Sequence, residues 1–179
     1  MKEFYNITIA GINRDLPICP ISEHLDIAGF VMLGDVEITT ATATELLKKV
    51  PEYDLIVTAE TKGIPLAHEM ARISDKSYVV ARKSVKAYMT NSIEVEVKSI
   101  TTSNVQKLYL SEEDCNKLKS KRALIVDDVI STGESLHAIE LLLEKAGANV
   151  VGKATVLAEG EAVHRDDIIY LEELPLFFK

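Results

Sequence analysis

Ala123-Leu124-Ile125-Val126-Asp127-Asp128-Val129-Ile130-Ser131-Thr132-Gly133-Glu134-Ser135 is the stretch on which the reading of this chain turns. Its four leading apolar residues predict a buried strand. Two adjacent carboxylates stand where that strand should end. A short loop of hydroxyls around one glycine then opens a helix. The first N–H groups of a helix have no intrahelical partner and carry partial positive charge, so a phosphate docks there, with hydroxyls as further donors. Asp127 and Asp128 suit sugar hydroxyls or a hydrated magnesium ion. The plain alternative is an ordinary strand–turn–helix junction, since buried parallel strands often end in Asp or Ser. The order strand, acidic pair, phosphate-sized loop favours a site for a phosphorylated sugar and its metal.

The flanks extend the same pattern. Downstream, Leu136, Ile139, Leu143 and Ala146 form the inner face of the predicted helix and Gly147 stops it. Val150 to Leu157 and Ile168 to Leu171 read as two more strands. Upstream, Asp54 to Ala59 reads as a buried strand and Glu60-Thr61-Lys62-Gly63 as the turn after it. Pro65 opens a helix with Leu66, Ala67, Met70 and Ile73 inward. Ser77 to Ala81 is the next strand, which completes the strand–helix–strand unit of a parallel sheet. Ile93 to Lys98 and Val105 to Leu110 alternate as half-exposed strands do, with a polar turn near Thr101 to Asn104, and predict a hairpin projecting from the sheet. Long excursions of this kind often serve as lids. Ser111 to Asp114 caps a short helix ending near Leu118.

The N-terminal part is less regular. Pro17 and Pro20 break it, and Gly29 to Gly34 reads as a strand between glycines. Thr42 and Glu45 have capping-box spacing for a helix carrying Leu46, Leu47 and Val50 and ended by Pro51. Residues 1–38 are expected to form a hood and residues 39–179 the core, including a flexible loop and hairpin over 82–110.

The 179 residues suffice for one core, with 47% hydrophobic and 27% charged side chains. No run approaches a membrane span, and the N-terminus lacks the apolar core of a signal peptide, so a cytoplasmic protein without a membrane partner is expected. Cys19 and Cys115 lie far apart and predict free thiols. A net charge of -8 without a basic block argues against nucleic acid as a partner. His24, His68, His137 and His164 share no metal-ligand spacing. Gly147 to Ala154 nearly matches a P-loop, but its glycines flank a strand and the metal-holding Ser or Thr is missing. Glu159, Glu161, Arg165 and Asp166 form a charged loop, read equally as solvated or as lying near a bound substrate.

The opening stretch resembles the phosphoribosyl-pyrophosphate motif of the type I phosphoribosyltransferases: apolar strand, two acidic residues, apolar pair, Ser/Thr-Thr-Gly loop. Glu60-Thr61-Lys62-Gly63 resembles that family's pyrophosphate loop. Arg82-Lys83 resembles the basic pair at the head of its flexible catalytic loop, and Ile93 to Leu110 the loop itself. Gly63-Ile64-Pro65-Leu66-Ala67 and the N-terminal hood look most like the adenine and xanthine (purine) branch. Two positions depart from the pattern. Glu134 stands where glycine is common, with its side chain expected to point outward, and Tyr88 lacks the adjacent Glu of adenine enzymes.

The resemblance implies an α/β fold, a parallel sheet flanked by helices with a small N-terminal hood and a projecting hairpin lid. It implies transfer of ribose 5-phosphate from phosphoribosyl pyrophosphate to a purine base, adenine first, with Mg2+ as cofactor and a homodimer as the assembly. Asp127, Asp128, Lys83 and Lys86 would be catalytic, and the two aspartates would hold the metal. Asp127, Asp128 and Ser131, Thr132, Gly133, Glu134, Ser135 would bind the sugar phosphate. Glu60, Thr61, Lys62, Gly63, Arg82 and Lys83 would bind pyrophosphate. Val129, Ile130, Val36, Glu37 and Ile38 would contact the base. Tyr88 is read as a packing or hood contact rather than a catalyst. The alternatives are a non-catalytic sensor of phosphoribosyl pyrophosphate on the same fold, or a xanthine/hypoxanthine or orotate enzyme.

Overall fold

The computed structural model describes residues 3–98 and 105–179; the polar turn expected near Thr101 to Asn104 lies outside them. The chain begins with β1 (Phe4–Ile9), β2 (Ile12–Pro20) and β3 (Leu25–Ala28). The turn Ala10-Gly11, with φ of 50° and 79°, closes the first hairpin. Gly29 to Gly34 is not a strand. It runs irregularly, with Phe30 and Met32 buried and Val31 and Leu33 exposed. Burial alternates as it would in a strand, but beyond the Gly29 N–H, which donates to the Pro17 carbonyl at 2.8 Å, the run joins no sheet among the described residues.

Helix α1 (Val36–Leu47) starts six residues before the Thr42 expected to cap it. Asp35 is the N-cap. Its side chain accepts the Ile38 N–H at 3.1 Å, and Arg14 from β2 holds it at 2.7 Å. Thr42 lies inside the helix, wholly buried, and donates to the Ile38 carbonyl at 2.7 Å. Thr39 and Thr44 donate to carbonyls four residues back in the same way. These bonds satisfy the hydroxyls of a segment whose helix propensity is low. Burial of Ile38, Ala43 and Leu46 supplies the stabilisation.

Next come β4 (Leu55–Ala59), α2 (Ile64–Ser74), β5 (Ser77–Ala81), β6 (Ile93–Lys98), β7 (Val105–Leu110) and α3 (Glu112–Leu118). In α2 the buried face is Leu66, Ala67, Met70 and Ala71, while Ile73 is exposed. Ser111 and Asp114 cap α3 reciprocally. The chain ends with β8 (Arg122–Ile130), α4 (Glu134–Ala146), β9 (Asn149–Glu159), a 3-10 turn over Gly160–His164, β10 (Ile169–Leu174) and β11 (Leu176–Phe178). Gly152, in the P-loop look-alike, lies within β9, where a side chain would stand 3.0 Å from Leu124 and Pro51. That is strand packing, not a phosphate loop.

The central sheet has the order β10-β9-β8-β4-β5, and every pairing is parallel. Buried on both faces, β4 has no exposed residue. Along β8 the faces alternate. Leu124 and Val126 join the core shared with the hood, α1 and α2, whereas Ala123 and Ile125 join the core under α3, α4 and the β6–β7 hairpin. The hairpin packs Ile93, Val95 and Val97 on that second core and buries Leu108 and Leu110. Arg82 pairs with Tyr109, and Lys145 of α4 donates to the Glu94 carbonyl.

The hood is a separate antiparallel sheet in the order β1-β2-β3-β11. Its fourth strand comes from the C-terminus, so the hood includes chain beyond residues 1–38, and residue 38 itself falls inside α1. No described helix is long and apolar enough to cross a membrane.

Candidate functional site

Strand order reverses between β4 and β8: β5 lies outward of one, β9 and β10 outward of the other. In an open parallel sheet, the loops leaving the carboxyl ends of two such strands diverge to opposite faces and leave a crevice between them. The turn 60–63 and the loop 131–135 flank that crevice.

Gly63 joins the two. A side chain there would stand 2.4 Å from Thr58 Oγ1, 2.9 Å from Asp127 Oδ1 and 3.2 Å from Asp127 Cα. Only glycine lets the turn seat directly on the acidic pair. The Glu60–Thr61 peptide is cis. Lys62, half-exposed, reaches back to Asp128 Oδ2 at 3.1 Å. Asp128 is buried, and its backbone N–H donates to Asp127 Oδ1 at 2.9 Å. Burial, then the neighbouring Asp128 carboxylate, raise the Asp127 carboxyl above the usual range, against the pull of Lys62. Two adjacent carboxyls with one lysine form a site short of positive charge.

The loop 131–135 leads into α4. Gly133, at φ 79°, occupies the N-cap position of α4 without a side-chain capping bond. The first helical bond runs from the His137 N–H to the Gly133 carbonyl, which leaves the N–H groups before it directed at the loop. Glu134 is half-buried in the first helical turn, and its N–H faces Thr132 Oγ1 at 3.4 Å. A carboxylate in the first turn complements the helix dipole, which accounts for a glutamate at this place. Asp127, Val129, Ile130, Ser131, Thr132, Gly133, Ser135 and Leu136 line one cavity of about 140 Å³. Ser135 Oγ donates to Gln106 Oε1 at 3.0 Å and so ties the hairpin to the loop.

The basic segment after β5 meets the turn through Glu60. Arg82 Nε lies 3.1 Å and Lys86 Nζ 3.9 Å from Glu60 Oε1, and the Lys83 N–H donates to Oε2 at 2.8 Å. Tyr88, expected to pack, is exposed; Met89 takes the buried place beside it.

The fold thus gathers residues 60–63, 82–86 and 127–135 at one edge of the sheet. Val36, Glu37 and Ile38 stand apart, in the first turn of α1. Val36 lines a different cavity with Met32, Pro65 and His68. Glu37 pairs with Arg14 at 2.7 Å. Ile38 is wholly buried in the core and presents no surface to a base, which corrects its assignment as a contact.

Two groups enter that sequence reasoning left undecided. Glu159, at the end of β9, is buried. Burial raises its carboxyl, opposed by a hydrogen bond from Ser131 and the charge of Lys62. Its sequence signal was a carboxylate closing the apolar run Val156-Leu157-Ala158, the same signal that marks Asp127. Arg165 lies against Gly133, where a side chain would stand 2.5 Å from its Nη1. Asp167 holds the other guanidinium nitrogens at 2.8 and 2.7 Å. Among the described residues no three His, Cys, Asp or Glu side chains group as a metal site.

Residues 33–174 match the family model described as "Phosphoribosyl transferase domain". The chain is 38% identical over 146 residues to a hypoxanthine/guanine phosphoribosyltransferase of Methanotorris igneus, covering 80% of this chain and 73% of that one. It is 33% identical over 143 residues to the protein of the same name from Methanocella arvoryzae, covering 80% and 69%. Among solved structures it is similar to an adenine phosphoribosyltransferase from Thermoanaerobacter pseudethanolicus, with a TM-score of 0.73 at 20% identity, covering 88% of this chain and 95% of that one. At that identity the likeness concerns the fold.

Proposed function

The chain belongs to the phosphoribosyl transferase domain family, and from that premise we propose that it is a purine phosphoribosyltransferase. It would transfer ribose 5-phosphate from phosphoribosyl pyrophosphate to a purine nitrogen, with pyrophosphate leaving. The observation that carries this reading is the meeting of two half-sites through Gly63: a lysine turn on one side, an acidic pair and a phosphate loop on the other.

The division of labour follows from charge. The α4 N-terminus with Ser131, Thr132 and Ser135 takes the 5-phosphate through N–H and hydroxyl donors. Lys62 and the backbone of Thr61 and Gly63 take the leaving pyrophosphate, with Arg82, Lys83 and Lys86 arriving from the adjacent segment. Asp127 and Asp128 lie between and accept hydrogen bonds from the ribose hydroxyls. Their negative charge favours the positive charge that grows on the sugar as its bond to pyrophosphate stretches. Val129 and Ile130 offer the base an apolar face.

The carboxylates fit a magnesium ion that arrives with substrate. Magnesium prefers six oxygens, and two carboxylates leave most positions to pyrophosphate, ribose hydroxyls and water. Asp128 Oδ2 is buried without a hydrogen-bond partner among the described residues, although Lys62 lies near it. When bound, the ion would neutralise charge on the leaving group.

For the base, the sequence relatives favour hypoxanthine or guanine, because a relative 38% identical over 146 residues bears that name. Adenine is the second reading, favoured by the run Gly63-Ile64-Pro65-Leu66-Ala67 after the lysine. A homodimer is proposed with it; Val31, Leu33 and Val36 leave an exposed apolar patch near the start of α1.

The test is release of pyrophosphate from phosphoribosyl pyrophosphate and magnesium with hypoxanthine, guanine, xanthine, adenine or orotate in turn. Turnover with at least one purine is expected. Saturable binding of phosphoribosyl pyrophosphate without turnover on any base would replace the enzyme with a sensor on the same fold.

A further inference from the structure

Glu60 sits in the turn assigned to pyrophosphate, yet its carboxylate faces cations on another segment. We propose that Glu60 is a positioning residue: it docks the basic segment 82–86 beside the pyrophosphate turn and does not itself bind pyrophosphate. The inference rests on the reading of that turn as the pyrophosphate subsite.

Both carboxylate oxygens are engaged. Oε2 accepts the Lys83 N–H at 2.8 Å, and Oε1 lies 3.1 Å from Arg82 Nε and 3.9 Å from Lys86 Nζ. The side chain is only 16% exposed, so water competes little with these contacts. From the other side, Arg82 exchanges two backbone hydrogen bonds with Tyr109, at 2.9 and 2.8 Å. The Glu60 N–H donates to the Ala81 carbonyl at 3.0 Å, which aligns the turn with the end of β5. The segment is therefore held by the hairpin through its backbone and by Glu60 through its charges. One carboxylate faces two cations, Arg82 and Lys86, so their combined charge stays positive. A bare carboxylate in this turn would repel a polyanion. Paired with those two side chains and bonded to the Lys83 backbone, it fixes where their excess charge stands.

A docking carboxylate and a merely repelling one predict opposite signs. Calorimetric titration of pyrophosphate and, separately, ribose 5-phosphate into the full chain distinguishes them, using wild type, Glu60→Gln and Glu60→Asp, each with and without magnesium. Glu60→Gln keeps an acceptor for the Lys83 N–H but loses the charge. Glu60→Asp keeps the charge but is one methylene too short to reach the segment. Both variants are expected to bind pyrophosphate about 10-fold more weakly, as the ion pairs that hold Arg82 and Lys86 in place are lost. The loss should be the same with and without magnesium, and ribose 5-phosphate affinity should be unchanged.

Pyrophosphate binding that tightens or stays the same in Glu60→Gln overturns the proposal, because Glu60 then only repels. A loss seen only with magnesium overturns it too, since Glu60 would then be a metal ligand. So does a parallel loss of both ligands, which marks general damage to the site. Wild-type protein that takes up no pyrophosphate overturns the subsite reading itself, and this inference with it.

Discussion

A methyl group on Gly63 would stand 2.4 Å from Thr58 Oγ1 and 2.9 Å from Asp127 Oδ1, distances that no Cβ tolerates. The φ of Gly63 is an ordinary -73°, so the requirement is space and not backbone conformation. Gly63→Ala must push the turn off β8 and separate Lys62 from Asp128. Overpacking of this kind costs about 1–3 kcal/mol, and kcat/KM should fall about 10- to 100-fold as the two half-sites lose alignment. Steady-state kinetics and a melting curve check both; unchanged kinetics would show that the turn has room to move. Gly63 was legible in the sequence as part of a resemblance. Its reason, the approach of Asp127, was not, because the turn and the strand that carry the two residues lie far apart in the chain.

Among the elements, β4 and β8 carry the two half-sites, and their amino ends are tied by charge. Asp54 accepts the Arg122 N–H at 2.8 Å and the guanidinium at 3.2 and 2.8 Å. The Arg122 side chain, then its backbone N–H, lower the Asp54 carboxyl to about 2. The folded value lies below the unfolded one, near 3.9, so the contribution to stability is present above about pH 4 and is lost as pH falls through about 2. Asp54→Asn should therefore melt slightly below wild type at pH 7, with the gap closing between about pH 4 and pH 2; a constant gap would show that the pair is not the cause. Strands and helices after residue 53 were largely readable, since buried strands and capped helices mark themselves locally. The errors fell at Gly29–Gly34 and at the start of α1. There the deciding facts were that the run joins no sheet among the described residues, and that Arg14 lies 21 residues from the Asp35 it holds.

At the scale of the molecule, β11 closes the hood from the far end of the chain. Leu176 to Phe178 pair with Leu25 to Ile27, Phe177 stands edge-on to Tyr5 at 5.6 Å, and Lys179 pairs with Asp26. Removing residues 176–179 should leave the central sheet formed but destabilise the protein by about 1–2 kcal/mol, roughly one part-buried aromatic side chain. Chemical denaturation measures this, and hydrogen exchange should show the loss concentrated in β1 to β3. Exchange that rises evenly over both sheets would mean that hood and core unfold as one unit.

The sequence by itself determined the parallel α/β core, the acidic pair, the hydroxyl-rich loop before α4 and the lysine turn, because each is written in contiguous residues whose periodicity and turn chemistry are local. The family followed from those motifs and was then shown by residues 33–174. Only the tertiary structure decided which groups meet: Gly63 on Asp127, Glu60 on the basic segment, Glu159 on Ser131, Arg165 on Gly133, and a C-terminal strand in the hood. Those contacts join segments distant in sequence, and they depend on strand order and on which side chains lose water. Neither leaves a signature in residue type alone.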